Sequence, residues 1–347
     1  MSSHSKRKGT QSIIFEVPPR VFSSFSIVGD TEAKGPLGSC FDLVINDDTW
    51  GEKSWEKAES KMFERSVQMA AEKSNISLSD IDCLLGGDLL NQIIASSYAA
   101  RNLNIPYFGL YGACSTMTEA LLIGSMMIDG GYRSMTACTA SSHFSTAERQ
   151  YRFPLELGNQ IPPTSQRTVT GAACTIIGDA AKSTDNHRFK NIHVTGGTIG
   201  KINDLGITDA ANMGAAMAPA AADTIYRHFQ DMGKSVADYD LIVTGDLGKF
   251  GSEMLFDLCK EKGIDLTGKH TDCGCLIYSP EQNFNCGGSG CGCSAVILAS
   301  YYLERLENKQ YSKILFMSTG ALMSPSSSLQ GESIPGIAHA VILERCT

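Results

Sequence analysis

The sequence predicts an α/β protein, layered as an α/β/α/β/α sandwich of two pseudo-repeated halves that divide as residues 1–185 and 186–347. Three observations carry this. A charged turn entering a buried strand that stops at Gly-Asp occurs twice, two cysteines at equivalent places each open a helix nearly free of charge, and amphipathic helices are left for the outside.

The first observation fixes the repeat. Asp80-Ile81-Asp82-Cys83-Leu84-Leu85-Gly86-Gly87-Asp88 matches Asp238-Tyr239-Asp240-Leu241-Ile242-Val243-Thr244-Gly245-Asp246 at an offset of 158 residues. Ala113-Cys114-Ser115 then matches Gly292-Cys293-Ser294, and Tyr132 ahead of Ser134-Met135-Thr136-Ala137 matches Tyr311 ahead of Lys313-Ile314-Leu315-Phe316, both at an offset of 179. The difference of 21 residues places an insertion in the second half between about Leu266 and Gly287. Strands alternating with helices in each half predict a mostly parallel sheet with crossover helices.

The distribution of charge orders the layers. Only Glu119 interrupts the apolar helix from Ser115 to Ile128, and Ala295-Val296-Ile297-Leu298-Ala299 has no charge at all. A helix apolar all round must be buried all round, so this pair is expected between two sheets. The amphipathic segments Trp55 to Glu72 and Ala220 to Met232 are expected outside.

Composition narrows the function. At 347 residues and 42% apolar content the chain buries a large core, and its net charge of −8 argues against nucleic acid as a partner. The one basic cluster, Lys6-Arg7-Lys8, lies in a polar N-terminal tail. No segment reaches the roughly 18 apolar residues of a membrane span, and the N-terminus lacks the apolar core of a signal peptide. Contact with a membrane is therefore expected from its surface or through other proteins. Twelve cysteines scattered through a chain of this size read as mostly buried thiols in a reducing compartment.

The stretch from Gly87-Asp88 through Gly112-Ala113-Cys114-Ser115 to His143 resembles the first-half core of a ketoacyl synthase III of the thiolase superfamily. A closer resemblance, to the stage V sporulation protein AD family, is carried by Gly35-Pro36-Leu37-Gly38-Ser39, Gly87-Asp88-Leu89-Leu90-Asn91-Gln92 and Gly112-Ala113-Cys114-Ser115-Thr116. Thr146-Ala147-Glu148-Arg149-Gln150 and the run from Ala216 to Thr224 extend it, so that it covers about Ile14 to Arg345. The resemblance implies a thiolase-like fold and a spore-forming role: binding dipicolinic acid (pyridine-2,6-dicarboxylic acid), alone or with calcium, and supporting its uptake into the developing spore. It further implies a soluble protein held peripherally at the spore inner membrane by co-encoded membrane proteins, a homodimer across the first-half sheets, and no cofactor.

Cys114 is the first candidate residue, because a cysteine opening a buried helix meets free N–H groups and the positive end of the helix dipole. Acyl condensation also needs a histidine after the second-half strand and an asparagine or histidine in the Gly-rich loop. Those places read Gly245-Asp246 and Gly287-Gly288-Ser289-Gly290-Cys291-Gly292-Cys293, and Met317-Ser318-Thr319-Gly320 lacks the late cysteine of true thiolases. A binding protein is therefore expected, with an acyltransferase acting through Cys114 on an acyl thioester as the rival and a scaffold with a vestigial pocket as the third reading. For the dicarboxylate the candidates are His143, Arg149 and, more weakly, Arg152 on the loop after the strand Met135 to Ala140, together with His339 on a late strand and Asp88 and Asn91 at the end of the first-half strand. No metal site is expected: Cys273, Cys275, Cys286, Cys291 and Cys293 carry C-x-C spacings rather than the C-x₂₋₄-C pairs of zinc sites. Gly196 to Lys201 is one residue short of a P-loop, and the Gly287 loop does not fit a dinucleotide fingerprint.

Overall fold

A computed structural model describes residues 6–151 and 162–346. In the first half the strands are β1 (Arg20–Gly29), β2 (Cys83–Gly87), β3 (Tyr107–Gly109), β4 (Met135–Ser142) and β5 (Gly171–Gly178). In the second they are β6 (Ile192–Thr198), β7 (Leu241–Thr244), β8 (His270–Asp272), β9 (Lys313–Ala321) and β10 (Gly336–Arg345). Their spatial orders, β3-β2-β4-β5-β1 and β8-β7-β9-β10-β6, are the same permutation, and β1 meets β6 at the pair Arg20 and His193 to join them.

The expectation of a mostly parallel sheet needs correcting. β2 runs parallel to β3 and β4, and β7 to β8 and β9, but β5 and β10 run antiparallel to both of their neighbours. Each of these strands is buried over nearly its whole length, and a fully buried strand reads as the same apolar run in either direction.

Helices α1 (Trp55–Glu72) and α2 (Ile94–Leu103) cover the first sheet, and α5 (Met213–Met232) and α6 (Gly248–Glu261) the second. Helix α1 begins where Ser54 accepts a hydrogen bond from the Lys57 amide at 3.4 Å, and it buries Ala58, Met62, Phe63, Val67 and Ala70 along one stripe. Helix α5 starts seven residues before the predicted Ala220. Pro219 suggests a helix start, yet burial of the run from Gly214 to Ala222 carries the helix through it.

Between the sheets lie α3 (Thr116–Asp129) and α7 (Cys291–Ile297), the latter continued through a π-turn over Leu298–Tyr302. This is the predicted buried pair. The predicted insertion is the segment from Cys273 to Gly287, which has no counterpart between β3 and Ala113 and ends in a short strand, Gly288–Ser289, paired with Arg167–Thr168. The short loop Phe144–Tyr151 after β4 is helical and is called α4 below.

Under α1 the first half buries two acids. Glu59 accepts hydrogen bonds from Ser141 at 3.1 Å and Thr146 at 2.8 Å, and Asp88 accepts from the Leu90 amide at 2.8 Å, the Ser96 amide at 2.7 Å and the Ser96 hydroxyl at 2.6 Å. Burial, and then the nearby Asp88 carboxylate, push Glu59 from 4.5 to about 8. A raised folded-state value means that stability from this group is full below about pH 4.5 and is lost as pH rises through about 8. Chemical denaturation is expected to show that decline, and Glu59→Gln to flatten it across this window.

Helices α5 and α6 make their closest backbone approach at a pair of glycines. A Cβ on Gly251 would stand 2.8 Å from the Gly214 Cα, and one on Gly214 would stand 2.5 Å from the Leu247 carbonyl oxygen. Gly251→Val is therefore expected to force the helices apart and cost about 1–3 kcal/mol in urea unfolding, whereas Gly263→Ala, where a Cβ meets open space but φ is +73°, tests only backbone conformation.

Candidate functional site

The site lies at the seam between the halves. After β3 the chain turns through Ala113, whose φ of 48° is left-handed, and Cys114 sits in a single 3₁₀ turn that leads into α3. Strand β9 reaches this turn because residue 320 is glycine: a Cβ there would stand 2.3 Å from the Gly112 carbonyl oxygen. The result is a cysteine that is only 5% exposed.

Two second-half groups face it. Ser289 Oγ stands 3.9 Å from Cys114 Sγ and donates at 2.8 Å to Asp246 Oδ2, which also accepts the Gly290 amide at 2.9 Å. Asp246 Oδ1 accepts from Thr319 at 2.7 Å, while Gln166 holds the Asp246 and Gly288 carbonyl oxygens at 2.7 and 2.9 Å. Burial and then the Asp246 carboxylate push the Cys114 thiol well above its ordinary value, with Cys291 adding to the effect. Asp246 itself is raised by burial, against the hydrogen bonds that favour its charge. A thiol beside a carboxylate stays protonated and is a poor nucleophile.

The cavity in front of Cys114 is small, about 40 Å³. That is room for about three water molecules. Leu89, Met213, Ala321 and Met323 make an apolar wall, Glu148, Thr168 and Ser289 a polar one, and Tyr111 and Tyr151 complete the lining. Glu148 is buried and accepts from Thr168 at 3.2 Å.

Of the predicted site residues that the structure describes, Cys114 lines this cavity and the others do not. His143 is buried, with Nε2 donating to the Asp48 carbonyl oxygen at 2.7 Å and Nδ1 accepting the Ser145 amide at 3.2 Å, so it pins the start of α4; burial lowers its pKa. His339 accepts the Gly200 amide at 3.1 Å, and burial lowers its pKa to about 4. Asp88 is spent on the Leu90–Ser96 turn behind the cavity wall. Arg149 pairs with Glu56, lies 5.4 Å from the Trp55 ring centre, and shares with Asn91 a separate surface cleft of about 240 Å³. Arg152 lies outside the described residues. The thiols of the C-x-C run take separate partners: Cys291 donates to the Ala113 carbonyl at 2.9 Å, Cys293 to that of Gly245 at 3.6 Å and Cys286 to that of Pro163 at 3.2 Å.

Sequence reasoning missed Ser289, Glu148, Tyr111, Tyr151 and the two methionines as cavity residues, and Asp246 as the acid behind Ser289. A signal existed for Asp246 and Ser289. They stand where a condensing enzyme's histidine and asparagine were sought, and a polar residue at such a place asks what it now holds.

Solved structures of low identity share the fold. Cerulenin-bound OleA of Xanthomonas campestris superposes with a TM-score of 0.59 at 14% identity, covering 95% of this chain and 100% of that one. The 3-oxoacyl-[acyl-carrier-protein] synthase III of Aquifex aeolicus VF5 does so with a TM-score of 0.56 at 13% identity, covering 94% and 99%. The fold is therefore thiolase-like. Stage V sporulation protein AD of Bacillus subtilis (strain 168) is 45% identical over 340 residues, 98% of each chain, and the family model for stage V sporulation protein AD (SpoVAD) matches residues 9–344. Over almost its whole length, the chain belongs to the stage V sporulation protein AD family.

Proposed function

We propose that this sporulation protein holds dipicolinic acid in the cavity beside Cys114 without chemical turnover, and supports its movement into the developing spore. The observation that carries the non-catalytic part is Asp246 with Ser289 facing the thiol, an acid and a hydroxyl where condensation needs a base and a second nitrogen donor.

The lining suits a flat ring with polar ends. Met213, Met323 and Leu89 offer polarizable apolar surface to a pyridine ring, and the Cys114 thiol offers a weak donor to a carboxylate, which Ser289 and Thr168 join once their hydroxyls turn from Asp246 and Glu148. The buried Asp246 beside the cavity opposes a bare dianion, so calcium brought with the ligand, or a proton on Asp246, would offset the repulsion. A cavity of about 40 Å³ must widen to admit the ring. The thiolase-like fold and the cysteine at the start of α3 favour acyl transfer as the second reading.

The same reading takes the protein to be a homodimer that works at the spore inner membrane with co-encoded membrane proteins. Edge strand β3 supports the dimer: among the described residues it pairs with β2 alone, and Phe108, Tyr98 and Ile94 are 54%, 50% and 37% exposed beside it. No helix among the described residues is long and apolar enough to cross a membrane, which fits docking from the surface.

Calorimetry is expected to show binding of dipicolinic acid and not of pyridine-2,3-dicarboxylic acid, strengthened by calcium and abolished by Met323→Trp, which fills the cavity. Transfer of a labelled acyl group from a thioester to Cys114, followed by turnover, would instead establish the enzyme. In light scattering, Phe108→Asp is expected to yield monomers from a dimeric parent; a parent that is already monomeric refutes the interface.

A further inference from the structure

Among the described residues that line the Cys114 cavity, Tyr111 alone is largely exposed, at 42%. The others are buried or half-buried, so among the described residues Tyr111 marks the solvent side of the cavity. Its hydroxyl has one assigned partner, Tyr151, at 3.1 Å. The Tyr151 proton is committed to the Leu89 carbonyl oxygen at 2.7 Å, so Tyr111 is the donor and Tyr151 the acceptor.

Tyr151 is the fixed end of this chain. Its neighbour Gln150 donates to the same Leu89 carbonyl at 3.1 Å and accepts the Asn91 amide at 3.0 Å, which fastens the end of α4 to the loop after β2. Tyr111 sits on the turn between β3 and Cys114, with no ring stacking or cation contact assigned to it among the described residues. Among the described residues, one wall is clamped and the other hangs on a single exposed hydrogen bond.

We infer that Tyr111 is the door of this cavity and that its hydroxyl bond to Tyr151 is the latch. Rotation of the Tyr111 side chain breaks that bond, moves the ring into solvent and widens the mouth of the cavity of about 40 Å³. This is a statement about access to the site assigned above to the dicarboxylate, and its biological sense rests on that reading. Its test does not.

The test is the rate at which iodoacetamide alkylates Cys114 in the full chain at mildly alkaline pH, followed by mass spectrometry of the peptide that contains it, with the half-buried Cys40 as internal reference. Removing one exposed hydrogen bond in Tyr111→Phe is expected to speed the reaction about fivefold, the worth of one such bond. Tyr151→Phe should match it, Tyr111→Ala should exceed it, and Cys40 should be unchanged in all. Wild-type rates at Cys114 in both Tyr111→Phe and Tyr111→Ala overturn the latch, as does equal acceleration at Cys40, which signals general loosening. Protection of Cys114 by added dipicolinic acid is read separately: its absence defeats the ligand assignment while the rates without ligand still decide the latch.

Discussion

Everything in this molecule depends on burying two largely apolar helices between two sheets. Helices α3 and α7 have little face to offer water, so each half must present its sheet to the other, and neither sheet can be covered on its inner side without its partner. The seam this creates is where β9 of the second half meets the turn carrying Cys114 from the first. A glycine at 320 sets how close they come.

The chemistry of the site follows from what the second half brings to that seam. A thiol at the start of a helix is poised for ionisation by the helix dipole, yet here burial and a carboxylate act against it, and Asp246 is pinned by donors on both oxygens so that it cannot swing away. In the reading proposed above, an acid and a hydroxyl opposite the thiol leave a scaffold suited to acyl transfer as a place to hold a molecule.

The histidines and arginines show why site residues were harder to read than the fold. His143 and His339 sit close in sequence to elements that do form the seam, but their ring nitrogens are taken by backbone groups that only the folded chain brings near, Asp48 and Gly200. Arg149 follows the right strand and then finds Glu56 and Trp55 on α1, facing outward. Sequence proximity placed these residues within one loop of the cavity, and a helix of eight residues was enough to turn them from it.

From the sequence alone came the two halves, the order of strands and helices, the buried helix pair and the place of the insertion, because each is written in composition and spacing along the chain, while the family came from the resemblance carried by motifs such as Gly112-Ala113-Cys114-Ser115-Thr116. Strand direction at β5 and β10 was not, since a fully buried strand has no polar face to orient it. Nor were the cavity walls. Asp88 and Asp246 occupy equivalent places in the repeat, yet one caps the turn at Ser96 and the other faces Cys114. That difference exists only once the halves are docked, because a side chain at a strand end takes the partner that packing brings to it.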